Sequence, residues 1–195
     1  VTEGFHRHRK SGRAIAEFTG FEADLLRSLA SQLVELLRSE VAAPVEHEDP
    51  LAALFDFSGP TDEPEDPVLL RLFPTAYTGD DEAAAEFRRF TEGTLRDGKA
   101  CGAVAVIEAL EEAGLPEDEV DDAVHIDVEL DEGEAMVWLK SFTDIRLALA
   151  TRLGIEEGDE ERWAALSDDD PASQAHDIYE WVGYLQETLV EALSA

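Results

Sequence analysis

The sequence predicts an α+β fold, mainly α, with amphipathic helices packed around a small antiparallel sheet. Three observations carry that reading. Val124–Leu130 alternates apolar and polar residues, the period of a strand with one buried face. Phe5–Phe18 holds two short runs around Ser11-Gly12, a dipeptide suited to a hairpin turn because glycine tolerates positive φ. Elsewhere apolar residues recur every three or four positions, as on helices with one wet side. The N-terminal hairpin and the strand near 124–130 are expected to share one sheet within a single domain, 1–195.

After the hairpin, Thr19 precedes Glu22 by three positions, the spacing of a capping box that satisfies free helix N–H groups. The helix that follows is expected to turn Phe21, Leu25, Leu29, Leu33 and Leu36-Leu37 inward. From 41 to 67 the chain carries eight carboxylates, repeated prolines and no Lys or Arg. Repulsion and proline both oppose packing there, so an acidic Pro-rich loop is expected. Leu51, Leu54, Phe55 and Phe57 interrupt it, either as a turn docked on the core or as a partner-binding motif.

Asp80-Asp81 places negative charge at a helix start, which predicts a helix over about 80–96 with Ala83, Phe87, Phe90 and Leu95 inward. A second helix is expected next, with Val104, Ile107 and Leu110 inward and a stop at Gly114 and Pro116. Asp131 and Glu134 repeat the capping spacing ahead of a long helix carrying Trp138, Phe142, Ile145, Leu149 and Leu153 to Gly154. Pro171, favoured at a first helical position, opens a last helix with Ile178, Trp181, Leu185 and Leu189 inward. Residues 13–38 and 124–153 therefore share one plan of strand, cap and amphipathic helix.

Charge narrows the function classes. Among 195 residues, 46 are acidic and 15 basic, for a net charge of -31. Unaided nucleic-acid binding rests on neutralising phosphates, so direct binding is not expected unless cations gather on one face. Arg7, Arg9, Lys10 and Arg13 are the candidate basic surface, and Arg88, Arg89, Arg96 and Lys99 form a second group. Both read more simply as solvated or ion-paired cations. One cysteine precludes an internal disulfide, which suits a reducing compartment. With no apolar leader and no apolar run near the roughly 18 residues of a membrane span, the expected address is the cytoplasm.

Chemistry is sparse. The sequence holds no zinc-ligand spacing, EF-hand loop, phosphate-binding glycine loop or nucleophile elbow, so no catalytic residue, cofactor or metal is assigned. Asp168-Asp169-Asp170 reads better as a helix cap before Pro171 than as a cation site. Abundant carboxylates alone say nothing about acid–base catalysis. Asp144, Arg146 and Arg152 interrupt an otherwise apolar helix, and charges there need partners. They are either a buried structural ion pair or an anchor for a partner protein. Cys101 stands two residues after Lys99, near the expected start of the second helix. A helix N-terminus and a cation both favour thiolate and hence oxidation; the plainer reading is a small core residue.

Phe73-Pro-Thr-Ala-Tyr77, the run Asp80–Glu92 and the run Trp138–Gly154 resemble the actinobacterial AosR family, otherwise classed only as a domain of unknown function. The Ala, Asp, Glu and Arg bias agrees with a high-GC actinobacterial source. The resemblance implies a cytoplasmic regulator of the oxidative-stress response that acts with the transcription machinery through a sigma factor on cysteine-biosynthesis genes. Genes of the family neighbour that of a Clp-protease adaptor, so a proteolysis adaptor or scaffold is the alternative, and an undetected hydrolase a third. Family redox switching is attributed to cysteine pairing, which one cysteine cannot do within the chain. The expectation is a non-enzymatic regulator, monomer or homodimer, that contacts a sigma factor or RNA polymerase.

Overall fold

A computed structural model describes residues 3–39, 60–117, 124–167 and 169–195. Of the loop expected over 41–67, residues 41–59, with Leu51, Leu54, Phe55 and Phe57, lie outside the described residues, as does Asp168, while 60–66 forms neither helix nor strand and Pro67 opens a helix. The fold is α+β and mainly helical. Strands β1 (His6–Arg7), β2 (Ala14–Thr19) and β3 (His125–Leu130) form one antiparallel sheet in the order β1-β2-β3. Gly12 turns the hairpin with φ of 73°. The hairpin and the distant strand share the sheet through the pairs Ala14↔Leu130, Ala16↔Val128 and Phe18↔Ile126. All six of these side chains are buried, as the period-2 pattern requires.

Both strand-cap-helix units close as their spacing predicts. The Thr19 N–H donates to Glu22 at 2.9 Å and the Glu22 N–H to Thr19 Oγ1 at 3.2 Å, opening α1 (Gly20–Ser39). Asp131 and Glu134 exchange the same bonds at 2.7 and 2.9 Å, opening α4 (Glu132–Leu153), which ends on left-handed Gly154. Phe5, Phe18, Trp138 and Phe142 meet edge-on under the sheet, with ring centroids 5.7–6.0 Å apart. Full burial of each such ring contributes about 1.5–3 kcal/mol, with about 0.5–1.5 more for each edge-to-face pair.

The other helices are α2 (Pro67–Leu72), α3 (Asp81–Glu112), α5 (Glu160–Ala164) and α6 (Pro171–Ser194). Asp66 and Asp170 cap α2 and α6 by accepting from Val68 and Ala172. The core lies between α1 and α3 on one side and α4 and α6 on the other.

Three expectations need correcting. The helices expected over 80–96 and beyond are one helix of 32 residues. Gly93, Gly98 and Gly102 each weaken a helix interior by about 1 kcal/mol, and packing against α1 and α4 outweighs that cost. The inward face of α1 is Ala23, Leu26, Ala30, Leu33 and Leu37, rotated by about one residue from the expected stripe. Small alanines let α1 approach its neighbours, leaving Phe21 64 % exposed and Leu25, Leu29 and Leu36 half-buried. The expected apolar face on the first half of α3 is inverted. Phe87, Phe90 and Leu95 are 43, 50 and 50 % exposed, while Arg88, Glu92 and Arg96 are buried.

Candidate functional site

That inversion has a physical cause. The buried side chains on the first half of α3 meet the Leu37 carbonyl, the Phe73 ring, Glu63 and Thr75. Glu92, 3 % exposed, accepts from Arg96 Nε at 2.8 Å and lies 3.4 Å from Arg88 Nε. Arg96 also donates to the Leu37 carbonyl at the end of α1, at 3.1 Å. Its guanidinium sits 4.9 Å from the Phe73 ring centroid. Arg88 reaches Glu63 at 3.9 Å and Thr75 at 3.5 Å. A buried cation needs such partners, and the spacing 88, 92, 96 stacks them on one helix face. Tyr77 meets Phe87 edge-on at 5.8 Å on the opposite, outward face. Tyr77, Phe87, Phe90 and Leu95 are thus large apolar side chains on the surface of an otherwise anionic chain.

Farther along α3, Gly102 brings the helix so close to α4 that a Cβ there would stand 3.2 Å from Ser141 Oγ. Lys99 pairs with Asp144 at 2.6 Å at one end of this crossing. Beside it runs a groove of about 600 Å³ bordered by Leu95, Lys99, Cys101 and Lys140. Cys101 is exposed in mid-helix. It is neither at a helix start nor in the core, because the helix begins at Asp81 and the thiol falls on its outer face.

Asp144, Arg146 and Arg152 project from α4 to three different places. Asp144 is buried beneath Lys99. Arg152 holds Asp66 at 2.6 Å, tying α4 to the start of α2. Burial alone would raise the Asp66 carboxyl, but the Arg152 hydrogen bond and the Val68 N–H outweigh it and hold it below the ordinary value. Arg146 donates to Gln186 and to the Tyr179 hydroxyl on α6, both at 3.1 Å. It lines a cleft of about 830 Å³ between α4, α5 and α6. Ser173 and His176 border the cleft. Among the described residues no hydrogen bond joins their side chains, the link that activates a nucleophile.

The basic hairpin is only partly neutralised. Arg7 donates to the Ala195 carbonyl at 2.5 Å and Arg13 lies 3.9 Å from Asp131, while Arg9 and Lys10 are exposed at the turn. In the second basic group, Arg88, Arg96 and Lys99 meet carboxylates and so form no phosphate-facing patch. Among the described residues no three His, Cys, Asp or Glu side chains gather as a metal site, and no helix is long and apolar enough to cross a membrane.

No solved structure matches the chain. A Mycobacterium leprae protein assigned as an oxidative stress regulator AosR is 32 % identical over 188 residues, covering 89 % of this chain and 79 % of that protein. The oxidative stress regulator AosR of Mycobacterium tuberculosis is 27 % identical over 186 residues, covering 88 and 78 %; the Mycobacterium bovis protein of that name aligns equally. The family described as a domain of unknown function, DUF2017, matches residues 2–193, and the chain belongs to that family of AosR-like proteins.

Proposed function

We propose that this protein is a non-enzymatic regulator of the oxidative-stress response that works by binding another protein. The observation that carries this reading is the inverted first half of α3, which buries its charges and turns Phe87, Phe90 and Leu95 outward beside Tyr77. Contiguous exposed aromatic side chains mark contact surfaces, and aromatic residues dominate binding energy where proteins meet. The regulatory role follows the names of the mycobacterial relatives. The net charge of -31 steers the chain towards basic partners, which favours the DNA-binding regions of a sigma factor or RNA polymerase. Cys101 gives peroxide one reaction site, with an intermolecular disulfide or a sulfenic acid as the reversible products.

The test is affinity capture from peroxide-stressed lysate, with Phe87→Ser/Leu95→Ser alongside wild type. Wild type should recover a sigma factor or RNA polymerase and the double variant should lose it. Recovery of Clp components without transcription proteins would replace this reading with the proteolysis adaptor. Capture of a second copy alone would make the face a homodimer interface. Non-reducing gels of wild type and Cys101→Ser after peroxide address redox control, which identical behaviour would exclude.

A further inference from the structure

The cleft around Arg146 is a separate site, built on other helices than the outward face of α3. Three features set its guanidinium apart. Neutral acceptors fix it, since Nη1 donates to Gln186 and Nη2 to Tyr179, and the Tyr179 ring centroid lies 4.8 Å from Cζ. Gln186 is itself anchored by donating to Thr143 at 2.7 Å. Room for the guanidinium comes from a missing side chain: a Cβ at Gly183 would stand 3.2 Å from Arg146 Cζ. Finally, no carboxylate lies within ion-pair distance of Arg146 among the described residues, although the chain carries 46 of them.

A fixed planar fork with no carboxylate in ion-pair contact is able to accept one. Arg71 also lines the cleft, adding a second cation. The rim has the opposite sign, with Glu156, Asp159, Glu160, Asp177 and Glu180. A simple anion would be repelled by that rim. A ligand that sets one carboxylate on Arg146 and carries cations around it matches both. The volume of about 830 Å³ lies within the range of about 300–1,000 Å³ for ligand pockets.

We propose that the Arg146 cleft binds a carboxylate flanked by cationic groups, carried by a basic polypeptide segment or by a free zwitterionic amino acid. The site does not depend on the α3 contact face, so either can fail without the other.

Calorimetry at low salt tests it with a lysine-rich peptide bearing one central Glu, the same peptide with Gln in its place, and free arginine. A charge-assisted bond predicts about tenfold tighter binding of the Glu peptide by wild type. That preference should vanish in Arg146→Gln, and amide shifts at Gly183 and Tyr179 in wild type should locate the peptide without any variant. Free arginine binding, with or without the peptide, would assign the small zwitterion, and binding of the peptide alone the polypeptide segment. Equal affinity for the two peptides, no binding of any of the three ligands, or a Glu preference that persists in Arg146→Gln would overturn the proposal.

Discussion

The two halves of α3 bury opposite chemistry on one continuous helix. Beyond Lys99 the inward residues are Ala100, Ala103, Val106 and Leu110, set against the common core. Before it they are Arg88, Glu92 and Arg96, set against the Leu37 carbonyl, Phe73 and the 60–75 segment. An apolar face is held by non-directional burial. A charged one is held only while every partner stays in place, because desolvation opposes it. The first half therefore trades robustness for a surface on which aromatic side chains point outward. The lesson is that an amphipathic stripe shows which residues share a helix face, while the neighbouring elements decide whether that face turns in or out.

The largest effect that tests the comparison is Glu92→Ala, which strands two buried guanidinium groups and should cost about 3–5 kcal/mol in urea unfolding. Replacing all three charges by apolar residues (Arg88→Met, Glu92→Leu, Arg96→Met) should restore or exceed wild-type stability. A cost below about 1 kcal/mol for the single variant would mean that the ladder is solvated. In the second half, Leu110→Ala should cost about 3 kcal/mol through lost burial and a residual cavity, with no rescue by charge changes nearby.

A smaller effect is expected at Asp66, which ties the 60–75 segment to α4 through Arg152. Its carboxyl is held low in the folded protein. The contribution is therefore fully present above the unfolded-state value of about 3.9 and fades as pH falls through the lower folded value. Asp66→Asn keeps a capping oxygen, so it should cost about 0.5–1 kcal/mol at pH 7. The gap from wild type should close as the pH drops below about 4; a gap that widens on acidification would contradict the assignment. The smallest effect concerns the hairpin: wild type and Arg7→Ala/Arg9→Ala should both show negligible DNA binding at low salt in a mobility-shift assay. Salt-sensitive binding lost in the variant would reverse the reading of the basic turn.

What was legible in the sequence is what local chemistry dictates. Ser11-Gly12, the alternation over Val124–Leu130 and the pairs Thr19/Glu22 and Asp131/Glu134 each act over a few residues, and each appears in the fold as read. The rotation of α1 was hidden because alanines at 23 and 30 carry little hydrophobic signal yet are fully buried. The continuity of α3 was hidden because three glycines weaken a helix that tertiary contacts hold. Asp144, Arg146 and Arg152 stood out as charges in an apolar helix, but their partners Lys99, Tyr179, Gln186 and Asp66 are distant in sequence. The ladder left one readable trace, an Arg-Glu-Arg series at four-residue spacing over 88, 92 and 96. That trace signals a paired face, and with it an outward turn for Phe87, Phe90 and Leu95.

The measurement that bears most directly on the contact face is site-specific photocrosslinking in peroxide-stressed cells, with the crosslinker at position 87 on the first half of α3 or at exposed position 108 on the second. Adducts with a partner protein from position 87 and none from position 108 are the expected result. Adducts only from position 108, or from neither position, would contradict the account.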